Sequence, residues 1–166
     1  MKNFLLTGFA FLSMAAIGIA EEANGLRLTA QKTLLEKTSD RDSDAYWEKV
    51  DKALGLKTML QNVSLKAMPE GSMEYIVIVK RWGHTPTLYE KYEGTEKVPA
   101  LLAGGKAELT VAKVPIAGYE AGGNRKLYQD SVEAWQIKVS HEGKETVKLT
   151  STSAFEKLLA KAKPGR

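Results

Sequence analysis

From Trp135 to Leu149 the apolar residues fall on every second position. Trp135, Ile137 and Val139 alternate with Gln136 and Lys138, and after Glu142-Gly143 the rhythm returns as Val147 and Leu149 around Lys148. Successive side chains of a strand point to opposite faces, so a period of two marks a strand buried on one face and wet on the other. Gly143 can take the positive φ that a tight turn demands, and the segment predicts an amphipathic β-hairpin. Such a hairpin cannot bury its apolar face alone, so the rest of the chain must supply a second layer.

The upstream sequence has the same character. Val50, Leu54, Leu56 and Leu60 share a parity with Thr58, which predicts one long half-buried strand stopping at Asn62, and Met68-Pro69-Glu70-Gly71 is turn chemistry. Met73 to Trp82 is apolar on both parities, as in a strand covered on both faces or facing another subunit. His84 to Thr87, with Pro86, breaks it. Thr87 to Tyr92 reads as a short strand ended by Gly94, and Leu109 and Val111 anchor another that Pro115 and Gly118 close. Gly122-Gly123-Asn124 is a turn, and Leu26 to Lys37 reads equally as a strand or a short helix. At the C-terminal end Ser153 and Glu156 have capping-box spacing. Phe155, Leu158, Leu159 and Ala162 mark one helical face, with Pro164-Gly165 as the stop. Roughly six to eight strands with few helical segments predict an antiparallel β-sandwich of immunoglobulin- or fibronectin-like type with a short C-terminal helix. Trp135 is its candidate buried tryptophan.

The first twenty residues read as an address. Lys2 precedes an apolar run from Phe4 to Ala20, ending in Gly18-Ile19-Ala20 before Glu21-Glu22. That is the pattern of a secretory signal peptide, which predicts residues 1–20 as the leader and 21–166 as a single exported domain. Gly8-Phe9 offers the Gly–aromatic step of a type IV pilin leader, but Ser13 stands where that family has an acidic residue. The chain is long enough, at 166 residues, to build a core without staples. It has no cysteine, which excludes disulfides, thiolate chemistry, Cys-ligated zinc and lipid attachment through cysteine. Its net charge is +4, or +3 without Lys2, with both signs mixed along the chain. No basic stripe with interleaved aromatics exists, so nucleic acid is not an expected partner.

The chemistry-bearing residue types form no diagnostic set. Asp40, Asp42, Asp44, Glu48 and Asp51 have calcium-loop spacing, but Ala45 replaces the required Gly and Asp51 the usual Glu, so a solvated acidic turn is expected. His141-Glu142 opens a zinc-protease pattern that Glu145 closes wrongly, and His84 stands beside Gly83 and Pro86. Neither histidine is expected to bind metal. Gly104-Gly105-Lys106 lacks the spacing of a phosphate loop. The expectation is no catalytic, cofactor-binding or metal residue, and no enzyme. Trp47, Trp82, Tyr89, Tyr92 and Tyr119 lie near strand ends and turns, where sandwiches present binding surfaces.

Tyr46 to Lys52, Asn62-Val63-Ser64, the Met68–Gly71 turn, Tyr75 to Trp82 and Ala134 to Val139 resemble the small exported immunoglobulin-like proteins of Verrucomicrobia, some associated with pilus or fimbria gene clusters. The resemblance implies a β-sandwich in the periplasm, at the outer membrane or on the cell surface. It also implies a role in assembly or adhesion through other envelope or pilus proteins, without cofactors. The alternative reading is a carbohydrate- or mucin-binding module using exposed aromatics, and a further expectation is self-association through Ile76 and Ile78.

Overall fold

The protein is described from a computed structural model covering residues 19–40, 47–121 and 127–165. In chain order the strands are β1 (Ile19–Ala23), β2 (Leu26–Asp40), β3 (Trp47–Asn62), β4 (Gly71–Arg81), β5 (Leu88–Val98), β6 (Lys106–Ala121), β7 (Leu127–Gln129), β8 (Ser131–His141) and β9 (Lys144–Thr150). Helix α1 (Phe155–Leu159) and a two-residue β10 (Lys163–Pro164) follow. One sheet has the order β1-β2-β3-β6-β7 and the other β10-β5-β4-β8-β9. All pairings are antiparallel except β10 on β5. With β2-β3-β6 facing β5-β4-β8-β9, the strand order is that of an immunoglobulin-like sandwich, A-B-E against C′-C-F-G.

The two inner faces make one core. Leu26, Leu28, Leu56 and Leu60 of the first sheet meet Met73, Val77, Val79, Ile137 and Val139 of the second, with Trp135 among them. Trp135 is only 4% exposed, as its alternating strand predicts. The parity read in β3 holds, including Thr58, whose hydroxyl is buried and donates to the Leu109 carbonyl at 2.9 Å. The β8–β9 turn places Glu142 at φ 50° and Gly143 at φ 74°, both positive as a two-residue turn of this hand requires. Asn24-Gly25 makes the same turn between β1 and β2, with φ of 51° and 77°. The Asn-Gly dipeptide is the signal for that hairpin, which the apolar rhythm alone passes over.

Of the two readings of Leu26–Lys37, the strand is the one observed, inside the fifteen-residue β2. Other sequence expectations are corrected. Gly94 does not end β5: the strand runs to Val98, and the Tyr75 ring lies where a Cβ on Gly94 would project. Pro115 and Gly118 do not close β6, which continues to Ala121. A proline fits there because β7 pairs only with Gly118–Glu120 and the Pro115 carbonyl accepts from Arg81. The backbone at 115 therefore points away from β3, and the missing N–H breaks no ladder bond. The capping box does not form: the N-cap is Ala154, without a side-chain cap, and the Thr152 hydroxyl accepts from the Ala154 N–H instead.

The second apolar face of β4 is covered from within the chain. Ile78, Ala134 and Phe155 are buried together, with Ile76, Tyr89, Leu158, Leu159 and Ala162 packed around them. Short as it is, α1 seals the outer face of the second sheet at this point. Ile78 is therefore an internal core residue, and it offers no surface to a second subunit.

Candidate functional site

The strongest polar cluster lies where the chain crosses between sheets. Arg81, at the end of β4, donates through Nε and Nη2 to Glu90 Oε2 at 2.8 and 2.6 Å, and through Nη1 to Asp130 Oδ2 at 2.6 Å. Nη1 also reaches the Pro115 carbonyl at 3.0 Å, and the Tyr92 hydroxyl sits against Nη2. Asp130 lies between β7 and β8, at the step from the first sheet to the second. Its other partners are backbone: the Trp82 N–H donates to Oδ1 at 2.9 Å and the Ala117 N–H to Oδ2 at 3.0 Å. Burial alone would lower the Arg81 proton affinity, but the hydrogen bonds it donates to Glu90 and Asp130 outweigh it and hold the guanidinium above its ordinary value. Burial pushes the Tyr92 phenol up, against the pull of Arg81. Asp130 has protein donors on both oxygens and Glu90 Oε2 takes three, so this network is a clamp between sheets and the seat of what stands on it.

What stands on it is aromatic. Trp82 follows Arg81 directly, and its backbone N–H is tied to Asp130. Its indole contacts Tyr128 of β7 at 5.5 Å between ring centroids, tilted by 50°, and Tyr119 of β6 at 6.2 Å, tilted by 58°. Tyr119 and Tyr128 are direct cross-strand partners, so both sheets contribute to the surface. Trp82 remains 48% exposed and Tyr119 42%. A large aromatic surface left in water while anchored from below has the physical form of a recognition surface.

Of the aromatic candidates, the fold thus brings together Trp82 and Tyr119 and adds Tyr128. Tyr92 is turned inward to Arg81, with the guanidinium 5.7 Å from its ring centroid, and Tyr89 packs beneath α1. The side chain of Trp47 lies outside the described residues. So do Asp42, Asp44 and Ala45 of the acidic segment, while Asp51 is on β3, exposed and 3.0 Å from Lys49. Among the described residues no cluster of three or more His, Asp or Glu is placed to hold a metal.

His141 flanks the β8–β9 turn as a packed residue. It is buried against Gly71, where an added Cβ would lie 2.8 Å from the ring, and Nδ1 is 2.8 Å from the Thr146 hydroxyl. Nε2 is buried without a hydrogen-bond partner, and burial holds the imidazole below its ordinary pKa against the opposing influence of Glu142. His84 is exposed in the β4–β5 connection.

No family model matches the chain, and no curated protein matches it. Among solved structures it is similar to a Northeast Structural Genomics Consortium target, at 8% identity and TM-score 0.38, over 77% of this chain and 86% of that one. It is also similar to a crystal structure from Akkermansia muciniphila, at 12% identity and TM-score 0.33, over 88% and 82%. A third likeness is to a β-glucosidase from Streptomyces venezuelae in complex with D-glucose, at 14% identity and TM-score 0.27, over 73% of this chain but 14% of the enzyme. Likenesses of this size assign neither a family nor an activity. Among the described residues no helix is long and apolar enough to cross a membrane.

Proposed function

We propose that this chain is an exported, non-enzymatic binding protein of the cell envelope, associated with a pilus or fimbria, that engages a protein partner through Trp82, Tyr119 and Tyr128. The observation that carries the reading is the exposure of that aromatic group on a clamped base. Tryptophan and tyrosine dominate the energetics of protein interfaces because they bury much area for few rotatable bonds. A base already fixed by Arg81 and Asp130 reduces the entropy lost on docking. The rings are tilted by 50° and 58°, so they make a stepped surface suited to an apolar or proline side chain. The leader and the sequence resemblance support the envelope location.

A glycan is the second reading, because Trp82 alone exposes enough ring for a sugar to stack on. Two measurements on the full chain and its Trp82→Ala and Tyr119→Ala variants separate them. In the protein reading, a photo-crosslinking residue at His84 yields one discrete envelope partner in the native host, lost in Trp82→Ala. The glycan array then stays blank. Array binding that disappears in Trp82→Ala selects the glycan. Crosslinking and array profiles unchanged in both variants overturn the assignment of this surface.

A further inference from the structure

Sheet edges are where two chains most easily join, because a row of backbone N–H and C=O groups faces outward without a partner strand. Strand β5 forms such an edge. The two-residue β10 covers it only at Glu90 and Lys91. From Tyr92 to Val98 no described strand lies beside it. Which backbone groups face outward follows from one hydrogen bond: the Gly165 N–H donates to the Lys91 carbonyl at 2.8 Å, so residue 91 points away from β4. β5 pairs with β4 without a register shift from Leu88 to Val98. Antiparallel ladders alternate, so Glu93, Thr95 and Lys97 also present their backbone groups outward.

The sequence of this edge is self-complementary in one register only. A two-fold axis at Thr95 sets Thr95 against its copy as a hydrogen-bonded pair. The next outward pairs are then Glu93 with Lys97 of the second copy, and Lys97 with its Glu93. An axis at Glu93 or Glu96 opposes glutamates, an axis at Lys97 opposes lysines, and an axis at Gly94 sets Lys91 against Lys97 and gives Glu93 only Thr95. Like charges directly opposite are destabilising, so all of those registers are disfavoured. Glu93, Thr95 and Lys97 are all exposed, and the nearby Lys91–Glu93 ion pair is at the surface, where such pairs hold weakly.

We propose that the occupant of this edge is a second copy of the chain, paired antiparallel through β5 about Thr95 to make one continuous sheet across a two-fold dimer. The pairing window is five residues, Glu93 to Lys97, because β10 stands beside Lys91. An interface this short is at the low end of specific interfaces, so the dimer forms at high protein concentration and dissociates on dilution. It is independent of the aromatic surface, which lies around the β4–β5 connection and β7.

Sedimentation velocity of the mature chain across a concentration series tests this, with circular dichroism to verify folding. Wild type should shift from monomer to dimer as concentration rises toward the millimolar range. Glu93→Lys alone, or Lys97→Glu alone, creates two like-charge pairs per dimer and should weaken association about tenfold or more. An equimolar mixture of the two variants restores opposite charges at both pairs and should dimerise again. So should the double variant Glu93→Lys, Lys97→Glu. Wild type that stays monomeric throughout overturns the proposal. So does a dimer indifferent to the single substitutions, or a mixture that remains monomeric while its components are folded.

Discussion

Asp130 accepts from three donors on two chain segments: the Arg81 guanidinium, the Trp82 N–H and the Ala117 N–H. Asp130→Ala therefore removes one of the two carboxylates on a half-buried cation and leaves two backbone donors without their acceptor. Breaking a buried pair by removing one partner costs about 3–5 kcal/mol, and urea denaturation should show a loss of that order. Tyr92→Phe removes one hydroxyl from the same network and should cost about 1 kcal/mol. His141 supplies a pH test. Its folded pKa is held below the ordinary 6.5 by burial, so between the two values the unfolded chain binds the extra proton. The stability is fully present above about pH 6.5 and is lost as pH falls toward the folded value. Melting temperatures measured from pH 7.5 downward should fall below that point, and more steeply than in His141→Gln. A wild-type profile parallel to the variant's would remove His141 as the cause.

At the scale of elements, α1 and the tight turns carry the testable content. Five helical residues are too few to be stable alone, so α1 exists because Phe155 docks on Ile78 and Ala134. Phe155→Ala should cost about 3–5 kcal/mol by thermal or chemical unfolding, far more than its position near the chain end suggests. Ile78→Lys buries a charge beneath the helix and should unfold the domain instead of releasing subunits. Circular dichroism showing a folded Ile78→Lys chain would place that side chain on an outer face after all. The β8–β9 turn offers the opposite sign. Glu142 holds a positive φ that asparagine adopts at lower cost, as Asn24 does in the β1–β2 turn. Glu142→Asn should stabilise the hairpin by about 0.5 kcal/mol, read as a small rise in melting temperature.

For the whole molecule, the cleavage expected after Ala20 falls inside β1. It would leave Glu21, Glu22 and Ala23 to pair with Leu28, Arg27 and Leu26. Mass spectrometry of protein from the native host should find Glu21 at the N-terminus, whereas a chain beginning at Phe9 would restore the pilin reading. The sandwich, its long β3, the β8–β9 hairpin, the buried Trp135 and the C-terminal helix were all legible in the sequence. Each is written in neighbouring residues: a strand's two-residue period and a helix's stripe depend only on nearby positions. Gly94 and Pro115 misled for the same reason. Locally they are breakers, and only the Tyr75 ring beside Gly94 and the unpaired side of β6 make them acceptable within strands. The cover on Ile78 was ambiguous because an apolar face has the same sequence whichever surface buries it. The clamp was not legible at all, and of the aromatic group Trp82 and Tyr119 were legible as candidates but their meeting with Tyr128 was not. Arg81 finds its partners 9, 34 and 49 residues along the chain, in Glu90, Pro115 and Asp130. Which aromatics cluster depends on where three crossings between sheets bring their strands, and no local pattern encodes that distance. The sequence by itself determined which segments become strands and which of their faces seek a core; only the tertiary structure decided which polar groups meet at the crossings and which aromatic rings remain in water, because those contacts join residues the chain keeps far apart.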